Sequence, residues 1–466
     1  MTTMAQWMES NPFLSQMNAS EFEWKVSTDR YCSRAYGQQE RQNLWMNVWQ
    51  IAGRADELTD IGSWMEYRLF DQSWILVRGR DSVIRGFVNA CRHRGNILCQ
   101  GRGQSSRFQC PYHNWTFGLE GQLAGLAKPD FDGSLEDFVG PKDDLGLIEV
   151  PVETFAGFIF INPDPEAAPL AEFLGDAAPA LAAYPLETMV PVDINVRERI
   201  ECNWKVIMDA FGEGYHTQGV HKELVGVVDL QKERFQRFGV HSISTTPFGQ
   251  PGFDQLDDEI AVDTLLNIPT SHFPGFIDVL PRFAELVKEY RSAEGKLNLP
   301  SGLTPRKLFQ QAVRSNLNAN GFDVSQLADC QMMDYQFWLL FPNVFIQICA
   351  GEATIIIAEP DPDENPNRCF WRVMTLRCLP EAQRQSQRAP FQQIAEEDHY
   401  PYFLALEQDF QQMAKQQLGL RNTTLSELVL TRQEPRVANF HSALNQWVGP
   451  IASPSHIISP LTNTQE

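Results

Sequence analysis

The feature that most constrains this chain is a pair of short motifs in which cysteine and histidine alternate. The first motif is Cys91-x-His93, and after sixteen intervening residues the second is Cys110-x-x-His113. Each motif follows a short segment rich in β-branched and aromatic residues, which is typical of a strand. We therefore expect two β-hairpin tips that lie together, each of which supplies one thiol and one imidazole to a shared metal group.

Two thiolates and two neutral imidazoles are the ligand set of a Rieske [2Fe–2S] cluster, in which cysteines bind one iron and histidines the other. A Cys2His2 zinc site uses the same residue types, but zinc sites usually separate a cysteine pair from a histidine pair. The alternation in both motifs therefore favours iron–sulfur over zinc. The other cysteines lie in apolar or mixed segments, and most are predicted to be reduced, small buried hydrophobic residues. They are Cys32, Cys99, Cys202, Cys330, Cys349, Cys369 and Cys378.

The segments CRHRG, CPYHNW and FGLEGQL resemble the Rieske domain of ring-hydroxylating oxygenases. The electron-transfer Rieske proteins of respiratory complexes are the nearest alternative. They resemble CTHLGC with CPCHGS and carry an additional disulfide pair, whereas this chain has Asn96 and Tyr112 at those positions. An oxygenase-type cluster is therefore favoured. One departure from the family is Asn114, where glycine is more common, and we expect it to alter a turn and not a ligand.

A second group of candidate ligands lies in the segment NWKVIMDAFGEGYHTQGVH. Asp209, Glu213 and His216 have i, i+4, i+7 spacing, which predicts one face of a helix. His221 follows five residues later and leaves that face unless the helix breaks, for which Gly219 is a plausible position. Two histidines and one distant carboxylate form the 2-His-1-carboxylate triad, which leaves adjacent positions on Fe(II) open.

This segment also resembles the mononuclear iron motif of ring-hydroxylating oxygenases, in which NWK and an acidic residue precede YHxxxxH. By that resemblance His216 and His221 bind iron. Glu213 would be the carboxylate that connects the two metal centres across a subunit boundary, hydrogen-bonded between His113 of one subunit and His216 of its neighbour. Many relatives have aspartate at this position, so the longer side chain of Glu213 keeps the charge but shifts its reach.

The third iron ligand is expected far downstream, where several acids compete. They are Glu396, Glu397, Asp398, Glu407 and Asp409. The segment LEQDFQQMAKQQLGL resembles a helix of the family in which EQD or ED precedes QxG by a fixed interval. Counting back eight residues from Gln417 gives Asp409, which we predict as the ligand, with Asp398 as the alternative.

Changes of residue pattern along the chain predict an α+β protein with two domains. Residues 39–162 have the pattern of short strands between Gly, Asp and Pro turns, which predicts an all-β Rieske domain. Residues 1–38 are expected to form a helical segment that packs on the catalytic domain, and residues 163–466 to form that catalytic, mononuclear iron domain. We predict a catalytic domain in which an antiparallel sheet wraps around a C-terminal helix, as in helix-grip or START-like folds.

Several elements of the catalytic domain are predicted individually. LAEFLGDAAPALAAY reads as a short helix, and VDINVRERI as a strand with Val192, Ile194 and Val196 on one face. FPNVFIQICA, ATIIIAEP and CFWRVMTLRCL are expected to be adjacent strands, followed by a helix over about 389–419. In the insertion at 245–330, the apolar stripe of PRFAELVKEYR is expected to be core packing, and the Pro- and Gly-rich loops to cover a substrate entrance.

Composition limits the possible partners. The formal net charge of −21 argues against nucleic acid or anionic membrane, because phosphate binding requires an excess of Lys and Arg. No apolar run of 18 residues and no secretory N-terminus is visible, so a cytoplasmic location is expected. No GxGxxG fingerprint or flavin-type domain occurs, so electrons from NAD(P)H are expected to arrive through a separate reductase, with or without a ferredoxin.

The resemblance implies a terminal oxygenase that activates O₂ at a mononuclear Fe(II) with electrons passed through a Rieske cluster. The expected reaction is hydroxylation, and foremost cis-dihydroxylation, of an aromatic or bulky hydrophobic substrate. A monooxygenase or demethylase on a non-aromatic substrate is the alternative, and a pure electron-transfer protein would leave His216 and His221 without a role. A homotrimer is implied, with a small β subunit as an option. Expected pocket residues are Phe211, Phe337 and Trp338, with parts of the insertion.

Overall fold

The computed structural model describes residues 22–126, 142–268, 270, 273–349 and 351–449. Within them the chain has the predicted α+β organisation, with strands concentrated in the first third and a large sheet with helices after it. None of the helices in the described part of the chain has the length and apolar composition that a bilayer crossing requires.

The secondary-structure elements are numbered in chain order. The strands are Lys25–Ser27 (β1), Gln50–Arg54 (β2), Ser63–Leu69 (β3), Gln72–Arg78 (β4), Ile84–Val88 (β5), Arg102–Gln104 (β6), Phe108–Gln109 (β7), Thr116–Phe117 (β8), Leu123–Gly125 (β9), Glu149–Val150 (β10), Val152–Phe155 (β11), Phe158–Ile161 (β12), Val190–Ile200 (β13), Arg234–Phe238 (β14), His241–Thr246 (β15), Tyr335–Leu340 (β16), Val344–Cys349 (β17), Glu352–Pro360 (β18), Cys369–Arg377 (β19), Gln392–Gln393 (β20) and Glu427–Val429 (β21). The α-helices are Asp29–Cys32 (α1), Arg34–Gln39 (α2), Leu170–Leu174 (α3), Ala177–Ala182 (α4), Trp204–Phe211 (α5), Thr217–Val220 (α6), Asp258–Leu266 (α7), Leu280–Glu289 (α8), Pro305–Ala319 (α9), Glu381–Arg384 (α10), Leu404–Leu420 (α11) and Pro435–Val448 (α12).

The first β region consists of three small sheets. Their strand orders are β10-β5-β4-β3-β6, β11-β12-β2 and β7-β8-β9. The first Cys/His motif follows β5, and the second connects β7 to β8, so both lie at strand ends as the sequence predicts. One small core, which includes Phe87, Phe108 and Phe117, also contains the side chains of Cys91 and Cys110. Packing of this core therefore brings the two motifs together.

The catalytic region is built on one eight-stranded sheet with the order β14-β15-β16-β17-β18-β19-β13-β20. All neighbouring strands are antiparallel except β13 and β20. Helix α5 packs against β17, β18 and β19, and α11 packs against both α5 and β13. The sheet thus holds α5 and α11 side by side, and these two helices position the candidate iron ligands.

The C-terminal helix is shorter than predicted. Helix α11 begins at Leu404, about fifteen residues after the start expected from the sequence, and α12 follows as a separate helix. Residues 389–403 contain Pro390 and Pro401 and form irregular chain apart from β20. Proline lacks a backbone donor and disfavours helical geometry in the residue before it, so this segment does not continue the helix.

Strand β13 departs from simple alternation. A register shift separates its start from its end, and Asp193 has a φ of +65°. As a result Val192 joins a small separate cluster with Leu379, while Ile194 and Val196 lie in the main core. The prediction that all three share one face is wrong at Val192, because a β-bulge changes the phase of the strand.

The predicted short helix after the first β region is two helices. Helix α3 ends before Gly175, whose φ is +51°, and α4 starts two residues later. In the insertion, α8 occupies the predicted stripe, with Phe283 and Val287 buried among core residues, so the stripe is core packing. Parts of the predicted entrance loops, at 269, 271 and 272, lie outside the described residues.

The described part of the predicted N-terminal segment, residues 22–38, begins with a strand. Strand β1 pairs with β21, and the α1 residues Arg30 and Tyr31 are buried. One core cluster contains Trp45 from the start of the predicted Rieske domain together with Trp204 and Trp371 of the catalytic region. Residues from all three predicted domain ranges share this core, so the packing does not mark boundaries between them. The three ranges therefore stay a prediction.

Candidate metal centres

The two cysteine/histidine tips have the same backbone arrangement. In the first tip the Gly95 N–H donates to the Cys91 carbonyl at 2.8 Å, and in the second the Asn114 N–H donates to the Cys110 carbonyl at 2.9 Å. The residue four positions after each cysteine has a positive φ, +72° at Gly95 and +57° at Asn114. Glycine and asparagine are the residues that adopt this left-handed conformation most readily, which explains why asparagine is tolerated here.

The four side chains of the tips lie close together, with the two cysteines on the buried side and the two histidines nearer the surface. Cys91 and Cys110 are 3% and 1% exposed, whereas His93 is exposed and His113 is half-buried, with their Nδ1 atoms 3.2 Å apart. The His93 ring stacks on Trp115 at 5.0 Å between centroids, which fixes its plane. Two thiols on the buried side and two imidazoles on the exposed side fit a [2Fe–2S] cluster with one S-ligated and one N-ligated iron.

Charge and burial at the tips act differently on the two ligand types. Burial raises the pKa of the Cys91 thiol, while the backbone N–H groups of His93 and Arg94 partly offset this by stabilising the thiolate. Desolvation and the neighbouring His93 lower the pKa of His113, which favours the neutral imidazole that a metal requires. A thiolate in a buried site of this kind is stabilised chiefly by the bound metal charge.

The segment that carries the helix histidines is broken earlier than predicted. Helix α5 ends before Gly212, Glu213 lies in the irregular segment that follows, and His216 is the N-cap residue of the short helix α6. The prediction of one helical face through Glu213 and His216 is therefore wrong, and Gly219 lies inside α6 instead of at the break. Two glycines in three residues, Gly212 and Gly214, have low helix propensity and account for the interruption.

The structure brings His216, His221 and Asp409 into one group whose ligand atoms all lie within 4.8 Å of one another. Asp409 Oδ1 is 3.0 Å from His221 Nε2 and 3.7 Å from His216 Nε2. His221 and Asp409 are buried, and His216 is partly buried. Asp398, the alternative third ligand, is exposed and is not a member of this group.

Each imidazole of the group is oriented by a hydrogen bond on its other nitrogen. His216 Nδ1 lies 2.7 Å from Glu213 Oε1, and Glu213 Oε2 accepts from the His216 backbone N–H at 2.9 Å. His221 Nδ1 lies 2.7 Å from Gln408 Oε1. Both Nδ1 atoms therefore carry the proton, and both Nε2 lone pairs point towards Asp409, as ligation of one metal requires. The sequence interpretation named Glu213 but missed Gln408.

Asp209, which shared the predicted helical face, does not belong to this group. It accepts a hydrogen bond from the Tyr31 hydroxyl and lies 3.0 Å from His441 Nε2. These contacts tie α5 to the N-terminal segment and to α12. Asp209 therefore stabilises the packing of α5 next to the site and is not one of the candidate ligands.

The electrostatics of the site favour a bound cation. Burial lowers the pKa of His216, but the hydrogen bond and charge of Glu213 and the charge of Asp409 outweigh it, so the pKa is raised. Burial likewise lowers the pKa of His221, and Asp409 reverses the direction. The same negative charges that stabilise a proton on these rings would stabilise Fe(II), and two imidazoles with one carboxylate fit a facial triad.

A cavity next to the three candidate ligands has mostly apolar walls. Phe211, Phe337, Phe345 and Ile356 line it, so two of the three predicted pocket residues lie where expected. Trp338 does not, because it follows Phe337 in β16 and points to the opposite face of the sheet, where it is fully buried. Phe345 and Ile356 sit opposite each other on β17 and β18, a pairing that single-strand patterns do not reveal.

Charged and polar groups interrupt the apolar walls at two places. Near the candidate ligands, Glu233 and Arg436 are buried and 3.8 Å apart, and burial raises the pKa of Glu233. Farther along the sheet, Glu352 lines a second cavity that shares Phe273 and Thr354 with the first, and it accepts hydrogen bonds from the Tyr335 hydroxyl and the Gly275 N–H. The two adjoining cavities therefore offer both aromatic faces and carboxylates to a substrate.

Comparison with known families matches two parts of the chain. Residues 48–133 match the Rieske [2Fe-2S] domain. Residues 183–268 and 292–450, together slightly more than half of the chain, match the catalytic domain of the ring hydroxylating alpha subunit. The first match contains all four residues of the tips, and the second contains the histidines of the α5–α6 segment and Asp409.

Individual relatives are more distant. The carnitine monooxygenase oxygenase subunit of Escherichia coli (strain K12) is 32% identical over 200 residues, which are 42% of this chain and 52% of that protein. The chain thus spans about half the length of this curated relative. A crystal structure of a quaternary ammonium Rieske monooxygenase covers 92% of this chain and 96% of its own, with 18% identity and a TM-score of 0.63. Naphthalene 1,2-dioxygenase covers 92% of both chains, with 18% identity and a TM-score of 0.62. These structural likenesses concern the fold.

Proposed function

This chain belongs to the ring-hydroxylating oxygenase alpha subunits that carry a Rieske domain, and from that premise we propose that it is the terminal component of a monooxygenase. The observation that carries the proposal is the convergence of His216, His221 and Asp409 at the wall of an apolar cavity. A protein that only transfers electrons would not require such a group.

The proposed reaction inserts one oxygen atom of O₂ into a C–H bond, and the other atom leaves as water with two electrons and two protons. When bound, a cluster at the tips supplies the electrons one at a time, and an iron at the triad supplies the open positions for O₂. Cys91, Cys110, His93 and His113 would hold the cluster. The residues of the triad would hold the iron.

The residues around the triad have separate roles in this proposal. Glu213 holds the proton on His216 Nδ1 and so keeps Nε2 available for the metal. Phe211 and Leu406 exclude water from the side of the cavity next to Asp409. Phe337 and Phe345 position the substrate, because their rings face the same space as the ligand atoms.

We propose an organic cation of the quaternary ammonium type as the substrate class. The named function of the carnitine relative supports this choice over the aromatic dihydroxylation that the sequence first suggested. Aromatic rings attract cations by about 0.5–2 kcal/mol each. The cavity at the triad adds the carboxylate of Glu233, and the adjoining cavity adds that of Glu352. Oxidation of a carbon next to the cationic nitrogen gives a carbinolamine, which splits into an amine and an aldehyde.

A second candidate is cis-dihydroxylation of an aromatic ring. The specific observation in its favour is the set of five phenylalanines along the cavity, which are Phe211, Phe273, Phe337, Phe345 and Phe403. An uncharged arene would fit such walls without using Glu233 or Glu352. The two candidates therefore differ in the charge of the preferred substrate and in the number of oxygen atoms that reach the product.

The test is a substrate panel of trimethylammonium compounds and bicyclic arenes with a surrogate reductase and ¹⁸O₂. One labelled oxygen in a hydroxylated product, or one dealkylated amine and one aldehyde for each O₂ consumed, supports the monooxygenase. A product with two labelled oxygens and two added hydrogens supports dihydroxylation instead. Absence of both kinds of product, with O₂ consumed only to peroxide, would contradict an oxygenase that couples to either class.

A matched pair of variants sharpens this test. Phe337→Leu removes one ring from the cavity, and the KM for the cation is expected to rise by roughly 2- to 30-fold. Trp338→Phe changes the next residue of the same strand, whose side chain is buried on the opposite face. Its KM is expected to equal that of the wild type, so an equal change in both variants would contradict a role for the Phe337 ring.

Partner proteins are part of the same proposal. A separate NAD(P)H-dependent reductase, with or without a ferredoxin, would supply the electrons to the cluster at the tips. A homotrimer would bring these tips near the Glu213 of a neighbouring subunit, with a β subunit as an option. Light scattering of the purified chain measures the oligomeric state, and the cytoplasmic location stays a prediction.

A further inference from the structure

Gln408 contacts the candidate iron site without being a ligand. Its Oε1 atom lies 2.7 Å from His221 Nδ1, although the two residues are 187 positions apart in the sequence. It immediately precedes Asp409 in α11, so one turn of this helix reaches the site at two points. Asp409 meets His221 on the Nε2 side, and Gln408 meets the same ring on the Nδ1 side.

The direction of the Gln408 amide is set by a second contact. Its Nε2 atom lies 3.4 Å from Glu223 Oε2 and can only donate there, because the carboxylate is an acceptor. The Glu223 Oε1 atom is buried and has no hydrogen-bond partner among the described residues, so the contact with Gln408 is made through Oε2. The amide oxygen is thereby directed at His221, whose Nδ1 must carry the proton.

We propose that Gln408, held by Glu223, is a positioning residue that fixes the tautomer and the ring plane of His221 for metal binding. The two histidines of the site would then be oriented by different groups. His216 is oriented by the carboxylate of Glu213, whereas His221 is oriented by a neutral amide that is itself held by a carboxylate. The inference rests on the proposed function only in requiring that a metal binds at the triad.

The positioning role of Gln408 is expected to affect the affinity of the site for Fe(II), even when no substrate is bound. Residues that accept the free N–H of a ligating histidine typically contribute 10- to 100-fold in metal affinity or activity. If Gln408 becomes Leu, the His221 Nδ1–H is left without its acceptor in a partly buried site, and the ring no longer has one preferred orientation. We therefore expect roughly 10- to 100-fold weaker Fe(II) binding in Gln408→Leu.

Gln411 provides a matched control on the same helix. It lies three residues after Gln408 in α11 and is exposed. Its side-chain amide donates to the Glu407 carboxylate and does not contact a ligand. Gln411→Leu makes the same chemical change with the same effect on helix propensity. Its Fe(II) affinity is expected to equal that of the wild type, which separates positioning from a general effect on α11.

A double variant tests whether the hydrogen-bonded pair acts as a unit. Gln408→Glu with Glu223→Gln exchanges the two side chains, so a carboxylate accepts from His221 and the amide donates to that carboxylate. No net charge is added. We expect Fe(II) affinity within about threefold of the wild type, since every donor still has an acceptor. This variant also keeps the inference testable if Gln408→Leu does not fold.

The experiment uses the full chain with its cluster and measures anaerobic Fe(II) binding by competition with a chelator. The electron paramagnetic resonance spectrum of the nitric oxide adduct reports the symmetry of the iron site without turnover. Weaker binding and an altered spectrum in Gln408→Leu, with wild-type behaviour in Gln411→Leu and recovery in the exchange variant, support the inference. Equal affinity and an unchanged spectrum in Gln408→Leu overturn it.

The outcome for Gln408 can be separated from the outcome for the proposed function. If the wild type binds Fe(II) and Gln408→Leu binds it more weakly, the positioning role stands even where no product forms from the substrate panel. If the wild type forms product and Gln408→Leu has unchanged iron affinity, the positioning role fails while the oxygenase proposal stands.

Discussion

The cluster tips and the candidate iron site differ in how the protein positions their metal-binding side chains. The four donors of the tips all lie within residues 91–113, and backbone hydrogen bonds shape both turns. The donors of the iron site come from the two residues that flank α6 and from α11, and side-chain hydrogen bonds orient the two imidazoles. In the tips His93 is exposed and His113 is half-buried, whereas His221 and Asp409 are buried.

This contrast predicts that the two sites respond differently to substitution. A turn shaped by backbone hydrogen bonds tolerates most side chains but depends on the residues that adopt a positive φ. A buried site oriented by side chains depends on each partner group, because a lost acceptor leaves a buried N–H unsatisfied. The predictions below test this difference from the largest expected effect to the smallest.

The largest effects are expected from a reciprocal pair of ligand variants. Cys110→Ala should lose the cluster spectrum and product formation while the triad still binds Fe(II). His216→Ala should keep the visible spectrum of the cluster and lose all product formation, since the two sites share no ligand. Iron and sulfide content, visible spectra and product formation measure both outcomes. An active His216→Ala enzyme would show that the iron site is assigned wrongly.

The choice between Asp409 and Asp398 tests the side-chain-built site directly. Asp409→Ala should bind no Fe(II) at the triad and form no product, because it removes the carboxylate that lies 3.0 Å from His221 Nε2 and 3.7 Å from His216 Nε2. Asp398→Ala changes an exposed residue and should alter stability by no more than about 0.5 kcal/mol. Loss of iron in Asp398→Ala, with binding retained in Asp409→Ala, would reverse the assignment.

Glu213→Gln is expected to have a smaller effect on the same site. Glu213 uses both oxygens, one for the His216 ring and one for its backbone N–H, and an amide offers only one oxygen. Turnover should fall by roughly 10- to 100-fold. Stopped-flow reoxidation of the cluster measures this, and the proposed connection to His113 of a neighbour predicts slower electron transfer. Unchanged reoxidation would contradict that connection.

The sequence predicted the positions of the two Cys/His tips, whose residues are close together in the chain. It predicted less well the segment that carries Glu213 and His216. The alternating Cys/His motifs indicated two strand-end tips, and the structure has them there. The same reasoning placed Glu213 and His216 on one helix, although Gly212 and Gly214 interrupt it. Helical spacing alone overlooks such breaks, because it counts positions and not the propensity of the residues between them.

Contacts between residues that are far apart in the chain could not be predicted from the spacing of residues. Asp409 could be chosen among five acids only by its resemblance to a family helix, and nothing in the sequence connected Gln408 to His221. Trp338 was expected beside Phe337 in the pocket, but successive residues of a strand point to opposite faces. Which face lines the cavity depends on how the whole sheet curves around α5 and α11.

Changes at the left-handed positions test the backbone-built tips and should be moderate. Asn114→Ala and Gly95→Ala each place alanine at a positive φ, +57° and +72°. Each should lower the free energy of unfolding by about 1–2 kcal/mol. A Cβ at Gly95 would have no atom within 4 Å, so the cost there comes from the backbone alone. Asn114→Gly serves as the control and should retain wild-type stability within about 1 kcal/mol, as measured by denaturant unfolding.

The smallest effect is expected at His399, where side-chain contacts hold the chain before α11. Its Nδ1 lies 2.7 Å from Glu198 Oε1 and its Nε2 lies 2.8 Å from Glu407 Oε2. Burial lowers the pKa of His399, but the two carboxylates outweigh it and raise the pKa above its ordinary value. A raised pKa in the folded state means that protonation stabilises the fold. This contribution is fully present below the unfolded-state pKa of about 6.5 and is lost as the pH rises through the folded-state value.

We therefore expect the difference in free energy of unfolding between wild type and His399→Gln to be largest near pH 6 and to vanish near about pH 9. It should stay below about 1 kcal/mol, because the His399 side chain is 38% exposed and solvent screens the pairs. Chemical unfolding at several pH values measures it. A difference that grows with pH would mean that His399 is neutral in the folded state and that the segment before α11 is held by its neutral hydrogen bonds.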